Sequence, residues 1–585
     1  MKSFFKIMFA TMLGFIVINV IFLFIALGII GSLGKEKEVE LKPNSVLHLK
    51  FDKPISDRGS DNPFENFSFT SFSGEKSLGL YDILNNIEKA TTDDNIQGIF
   101  LDITSIPAGL ASIEEIRNAL RNFKDSGKYI YAYSEMYSQT SVYLMSIADQ
   151  VYMHPMGYLE LKGLRAELMF FKGVLEKIGV EPMVFKHGKF KSAVEPFISD
   201  RMSDANREQI KVYMGSLWNH MTAGIAAGRD VEQNLILQYA DELRIQNADD
   251  AKEVKMIDAI KYRDEVLEII KEKTGAEKID KINFITLGKY NKVKDKKDKS
   301  KGDKIAVIFA EGEIVDGEGD GNNVGSERFT KAIRKARLDD KVKAVVIRVN
   351  SPGGSALASE SIWREIEETK KVKKVVTSMG DVAASGGYYI ACNSDKIIAN
   401  PTTITGSIGV FGLLFNAKKM LNEKLGVTID TVKTSKYADF MSQSRTVTDF
   451  EGAIIQNRIE EIYDNFISRV AEGRKMNKAD VDSIGQGRVW SGIDAKRIGL
   501  IDEFGGLKKA IEVAAELAGI EQYRITALPE QKDFLSTFLK EMQGDAELNM
   551  LKRIFGEEYM QIIQMKDVNR LGNYQARMPF YIDIK

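Results

Sequence analysis

A chain of 585 residues is longer than one hydrophobic core organises, so two or more domains are expected. Its 44% hydrophobic and 28% charged residues describe a globular protein rather than a disordered one, and a net charge of −2 gives no electrostatic basis for nucleic acid as a partner. One cysteine, Cys392, excludes an intrachain disulfide, and the histidines (His48, His154, His187, His220) lack metal-ligand spacing, so neither metal nor cofactor is expected.

The run from Ile7 to Leu33 holds no charged residue. At about 1.5 Å per residue it is long enough to cross a bilayer core of about 30 Å. It lacks the small-residue cleavage pattern of a signal peptide, so residues 1–34 read as a signal anchor. Lys2 and Lys6 precede the span, and the charges after it (Lys35, Glu36, Lys37, Glu38) balance. The positive-inside bias puts the N-terminus in the cytoplasm and the rest of the chain across the membrane.

Beyond the span the pattern alternates strand and helix. NSVLHLKF (44–51) predicts a strand, 59–73 a polar loop, 81–90 a helix, IQGIFLDI (96–103) a buried strand, 112–123 a helix and 129–133 a strand. That alternation implies a mostly parallel sheet covered by helices. The chain then repeats itself with a period of about 245 residues. IQGIFLDITSIPAG (96–109) matches VKAVVIRVNSPGG (342–354), YLMSIADQVYMHP (143–155) matches YIACNSDKIIANP (389–401), and DAKEVKMID (250–258) matches DAKRIGLID (494–502). GKFKSA (188–193) likewise falls opposite SKYADF (435–440), and AAGR (226–229) opposite AEGR (471–474). The lysine-rich stretch 289–304 separates a front repeat (45–288) from a rear one (305–528), and 529–585 forms a tail with helix-like apolar spacing that ends in a possible strand. The glycine-rich piece 317–325 lacks a phosphate-loop lysine and reads as a mobile surface loop.

The copies differ where chemistry is expected. VVTSMGDVAASGGYYIA (375–391) reads as strand, tight turn and helix with Ser385 at the turn, whereas the front copy has Gln139 there. Lys191 falls opposite Ala438, and the glycine pair Gly353–Gly354 opposite Ala108–Gly109. Each copy keeps one chemical group and lacks the other, as a duplicated enzyme would if it divided one site between its halves. A serine needs a base to become a nucleophile. Lysine serves only when neutral, and with an unperturbed pKa of about 10.4 the neutral form at pH 7.4 is about one part in a thousand, a handicap of ~4 kcal/mol. Burial without a carboxylate removes much of that. Apolar Phe190, Ala193 and Val194 favour such a pocket; a pairing with Glu195 would defeat it, and His154 or His187 stays open as an alternative base. The strand-to-helix turn at Gly353–Gly354, with the N–H of Gly386, is a candidate oxyanion hole, and Ser407 is close enough in the chain to hold the lysine.

GKFKSAVEPF, NSPGGSA, MGDVAASGGYYIA and PTTITGSIGV, in this order, resemble the long, two-domain form of signal peptide peptidase A (SppA, protease IV) over roughly residues 45–520. The resemblance implies a Ser/Lys dyad of Ser385 and Lys191, a helper serine at Ser407 and a glycine turn at Gly353–Gly354. It implies tandem Clp peptidase/crotonase-like α/β domains built of repeated ββα units. It further implies a bowl-shaped tetramer, anchored in the inner membrane with its catalytic domains on the periplasmic side, that degrades remnant signal peptides and other hydrophobic peptides. With Ala438 at the second lysine position, the rear half is not expected to work alone. Two other readings stand beside it: a crotonase-like enzyme of acyl-CoA thioesters, disfavoured by an extracytoplasmic placement, and a non-catalytic membrane scaffold.

Overall fold

The computed structural model describes residues 39–59, 79–294 and 302–531, the main chain of 575–577, and isolated positions between 6 and 18. Most of the apolar run 7–33, most of the loop expected over 59–73, the middle of the lysine-rich stretch and most of the tail therefore lie outside the described residues. Among the described residues, no helix is long and apolar enough to cross a membrane.

Two mostly parallel sheets share one strand order. In the front repeat the order is Ala259–Ile260, Gln150–Leu159, Tyr129–Tyr137, Ile96–Asp102, Ser45–Leu49, Phe284–Thr286, every neighbouring pair parallel. The rear repeat runs Glu503–Phe504, Lys396–Ala399, Lys374–Ala384, Val342–Ser351, Asp303–Glu311, Tyr523–Leu528, these neighbours again parallel. The same sheet adds Ile404–Gly406 beside Lys374–Ala384 and, antiparallel to Ile404–Gly406, Val489–Ser491. The central strands are continuous apolar runs because helices cover both faces. The repeat extends to the long helices. Asp204–Arg229 and Asp449–Arg474 each have 26 residues, each begins on a hydroxyl N-cap (Ser203, Thr448), and each ends on a left-handed residue (Asp230, Lys475).

The repeats are not packed independently. The front core takes in Ala384, Ile404 and Val489 of the rear repeat. A third sheet is built from both copies: Asn323–Gly325, Glu313–Val315, Gly353–Ser355, Gln575–Arg577, Phe411–Asn416 and Glu181–Lys186. There the front strand Glu181–Lys186 pairs antiparallel with the rear strand Phe411–Asn416 over six residue pairs. This seam draws the loop carrying Lys191 against the rear repeat.

Three segments differ from the sequence reading. Gly353–Gly354 are not a bare turn but open a short strand, Gly353–Ser355, and the glycine-rich surface loop ends in the strand Asn323–Gly325, which pairs with Glu313–Val315. Both strands are three residues long, too short to leave a periodic signal. The lysine-rich stretch also begins inside the helix Leu287–Tyr290 and ends inside the strand Asp303–Glu311.

Candidate active site

The strand Lys374–Ala384 runs straight into Ser385, and the helix Gly386–Ala391 starts at once behind it. Ser385 therefore sits on a sharp elbow, with φ 56° and ψ −117°. A non-glycine residue held in that region is strained, and such strain persists only where surrounding contacts fix it. Here they do: the Ser385 amide donates to the Gly406 carbonyl at 2.8 Å, and its carbonyl accepts the Tyr389 amide at 2.8 Å. Gly387 lets the helix start lie on the glycine turn, since a Cβ there would stand 2.6 Å from the Ser351 carbonyl oxygen.

Lys191 reaches this elbow from the front repeat. Its side chain is wholly buried, and Nζ lies 2.8 Å from Ser385 Oγ, 3.1 Å from Ser407 Oγ and 3.2 Å from the Ser407 carbonyl oxygen. No carboxylate is among these partners. Burial therefore acts unopposed and holds the lysine well below its ordinary pKa. Glu195, the residue that could have locked the amine, is turned away and accepts from Ser203 Oγ at 2.5 Å and Asn206 Nδ2 at 3.0 Å. The histidines are also engaged elsewhere: His187 bonds Glu460 at 2.5 Å and stacks on Tyr463, and His154 Nδ1 takes the Met156 amide at 3.0 Å.

Of the expected oxyanion donors, Gly386 opens the helix behind the serine. Gly353 and Gly354 both have positive φ (97° and 157°), and a Cβ on Gly354 would meet the Ile314 carbonyl oxygen at 2.0 Å. The Gly353 amide donates to Ser351 Oγ at 3.2 Å, so it braces the turn.

Several residues around the lysine escaped the sequence reading. The stem of Lys191 is walled by Gly409 and Gly487, whose added Cβ atoms would stand 3.2 Å and 2.6 Å from it. Buried Gln209 clamps the lysine loop to the rear repeat, donating to the Phe190 carbonyl at 3.0 Å and accepting the Val489 amide at 3.2 Å. The Phe190 amide in turn donates to the Gln486 carbonyl at 3.0 Å. The glycines of GQGRVW (485–490) were the one local signal for this loop.

The sequence profile of Peptidase family S49 matches residues 122–277 and again 367–521, one match in each repeat. Protease 4 of Salmonella typhi is 37% identical, over 90% of this chain and 88% of its own length. Protease 4 of Haemophilus influenzae is 33% identical over 96% and 94%. The chloroplastic serine protease SPPA of Arabidopsis thaliana is 36% identical over 77% and 68%. Among solved structures, a ClpP1 mutant from Listeria monocytogenes matches 35% of this chain and 94% of that chain, with TM-score 0.24 and 15% identity.

Proposed function

Since the chain belongs to peptidase family S49 and is a serine peptidase, we propose that it cleaves apolar peptides through an acyl-enzyme on Ser385, with Lys191 as the base. The observation that carries this reading is the 2.8 Å contact between the amine of one repeat and the hydroxyl of the other, in a buried pocket that lowers the amine's pKa and so favours its neutral form. A neutral amine has two N–H groups and one lone pair, which suits its three contacts. The N–H groups donate to the two Ser407 oxygens, and the lone pair receives the Ser385 hydroxyl proton. Ser385 then attacks the peptide carbonyl, and the N–H groups of Gly386 and of Gly354 in the glycine turn, which Gly353 braces, receive the oxyanion. Lys191 passes its proton to the leaving amine and afterwards activates the water that releases the acyl group.

The slot beside the serine supports an extended peptide as substrate. The main chain of Gln575–Arg577 runs antiparallel to Gly353–Ser355 and also pairs with Phe411, so strands on both sides offer ladder bonds to a segment lying between them. A substrate strand would take that place. In this reading the apolar run 7–33 anchors the chain in the inner membrane, the two repeats face the periplasm, and hydrophobic peptides such as remnant signal peptides reach the slot from the bilayer.

Assembly as a homotetramer has support in the repeat itself. In the rear repeat Val382, Thr402 and Ile404 are covered by the front repeat. Their counterparts in the front repeat, Met136, Met156 and Tyr158, are 46%, 88% and 44% exposed. The rear repeat of a second copy would cover them as the front repeat covers theirs, a head-to-tail contact that closes into a ring.

Two tests bear on this function. The full chain in detergent is expected to hydrolyse an apolar peptide and to leave an acyl-CoA thioester untouched; thioester turnover that survives loss of Ser385 would favour the crotonase-like alternative, and no turnover of either would favour a scaffold. Gly487→Ala is expected to lower kcat by about 10²-fold, because its Cβ would displace Lys191 and small misplacements of reacting groups cost that much. Comparison of kcat with the melting temperature separates this displacement from unfolding.

A further inference from the structure

The two repeats also meet over a cluster of buried charge that takes no part in the chemistry above. Arg348, on the strand leading into the glycine turn, has no exposed side-chain surface. Its guanidinium faces two carboxylates of the front repeat, with Nη2 2.7 Å from Asp57 Oδ1 and Nη1 2.9 Å from Glu115 Oε1. Two more carboxyls come from the rear repeat. Glu311 Oε2 accepts the Asp57 amide at 3.2 Å, and Asp381, four residues before Ser385, accepts the Ser112 amide at 2.9 Å and hydroxyl at 2.7 Å.

Four carboxyls thus gather around one guanidinium, which bonds two of them, Asp57 and Glu115. Like charges so close in a site of low polarity do not all ionise, and at least one keeps its proton. The contacts single out Glu311. Asp57 Oδ2 is buried without a hydrogen-bond partner, and Glu311 is the carboxyl that contacts Asp57 directly, through the Asp57 amide. Burial beside Asp57 pushes the Glu311 carboxyl up to about 8, and burial raises Asp381 and Glu115 as well. The charged groups facing Glu311 are Asp57 from the front loop, Arg348 from the neighbouring strand and Asp381 from the strand beyond, with Glu115 on the far side of the guanidinium. Arg58, next to Asp57, donates to the Pro529 carbonyl.

This cluster lies where the alignment of the active site is decided. The strand of Arg348 ends at Ser351, two residues before Gly353, and the strand of Asp381 ends at Ala384, next to Ser385, while Asp57 and Glu115 belong to the repeat that brings Lys191. We infer that Glu311 is a positioning residue for the Lys191–Ser385 pair: as a neutral acid against Asp57 it keeps the repeats docked, and its ionisation loosens the junction and limits hydrolysis at alkaline pH. The inference rests on the Ser/Lys reading above. A dyad whose base is a neutral lysine gives no alkaline limb of its own, so such a limb reports on another group.

The sign is fixed by proton counts. The unfolded chain releases the Glu311 proton near 4.5, and the folded chain holds it to about 8. The folded state therefore binds one proton more across that window, and this group makes stability fall as pH rises through it. Above about 8 the folded junction itself carries the extra charge.

The test measures kcat and KM for an apolar peptide from pH 5 to 10, using the full chain in detergent, for the wild type, Glu311→Gln, Glu311→Ala and Ser385→Ala. Gln mimics the neutral acid: it can accept the Asp57 amide and donate to Asp57 Oδ2. The wild type is expected to lose at least ten-fold in kcat above about pH 8, with KM within two-fold. Glu311→Gln is expected to keep its rate there, with the acidic limb unmoved and a melting temperature that gains on the wild type as pH rises toward 8. Glu311→Ala is expected to lower kcat at every pH. The inference is overturned if the wild type shows no alkaline fall, or if Glu311→Gln falls as the wild type does. Hydrolysis at the wild-type rate by Ser385→Ala would instead sink the Ser/Lys reading beneath it.

Discussion

Ser385→Ala is expected to abolish peptide hydrolysis, lowering kcat by at least about 10⁴-fold while leaving the protein folded. In the proposed mechanism the serine hydroxyl is the group on which the acyl-enzyme forms, and its neighbour does not replace it. Ser407 also lies against Lys191, but it sits in the loop after the strand Ile404–Gly406 and not on the elbow between strand and helix. Loss of the hydroxyl leaves the buried amine one partner short, a cost of about 1–2 kcal/mol, so the melting temperature should fall only modestly. Active-site titration and thermal melting of the same preparation check both halves of this result.

Lys191→Met should remove nearly as much activity, at least about 10³-fold in kcat, with the opposite effect on stability. Met keeps an unbranched stem between Gly409 and Gly487 and brings no amine into a wholly buried pocket, so the variant should melt at or above the wild-type temperature. Burial depresses the lysine pKa in the folded state, and the unfolded chain keeps its proton up to about 10.5. Between those limits the unfolded state binds one proton more, so this group makes wild-type stability rise with pH, a slope that Lys191→Met should lack. Activity should follow the same ionisation: the wild type loses rate as pH falls and the amine becomes charged. A variant that retained hydrolysis with Met at this position would leave the serine without the base assigned to it.

Much of this candidate site was legible because duplication had left a control beside each residue proposed to act in it. Ser385 faces Gln139 across the repeat and Lys191 faces Ala438, so the two groups stood out against copies that lacked them. The parallel strands were legible as well, since buried central strands such as Ile96–Asp102 are continuous apolar runs between turn signals. What could not be read were contacts formed only when the repeats meet. Gln209 acts by reaching the Phe190 and Val489 main chain, and Asp57 by meeting Arg348 from a distant part of the chain; neither has a neighbour in sequence that announces the role. The composite sheet was hidden because strands of three residues such as Gly353–Ser355 and Asn323–Gly325 are too short to carry a period of their own. Gly353 shows the finer limit. Its place at the turn was evident, but not that its amide would be held by Ser351 Oγ.

The most direct measurement is the rate at which a fluorophosphonate labels Ser385 in the full chain as a function of pH, with and without Lys191. A neutral amine at the serine predicts fast labelling that declines, as pH falls, through a single ionisation far below the usual lysine range, and a loss of at least about 10³-fold in Lys191→Met at pH values above that ionisation. Labelling of Lys191→Met at the wild-type rate, or a wild-type rate that climbs only near the ordinary lysine pKa of about 10.4, would contradict it.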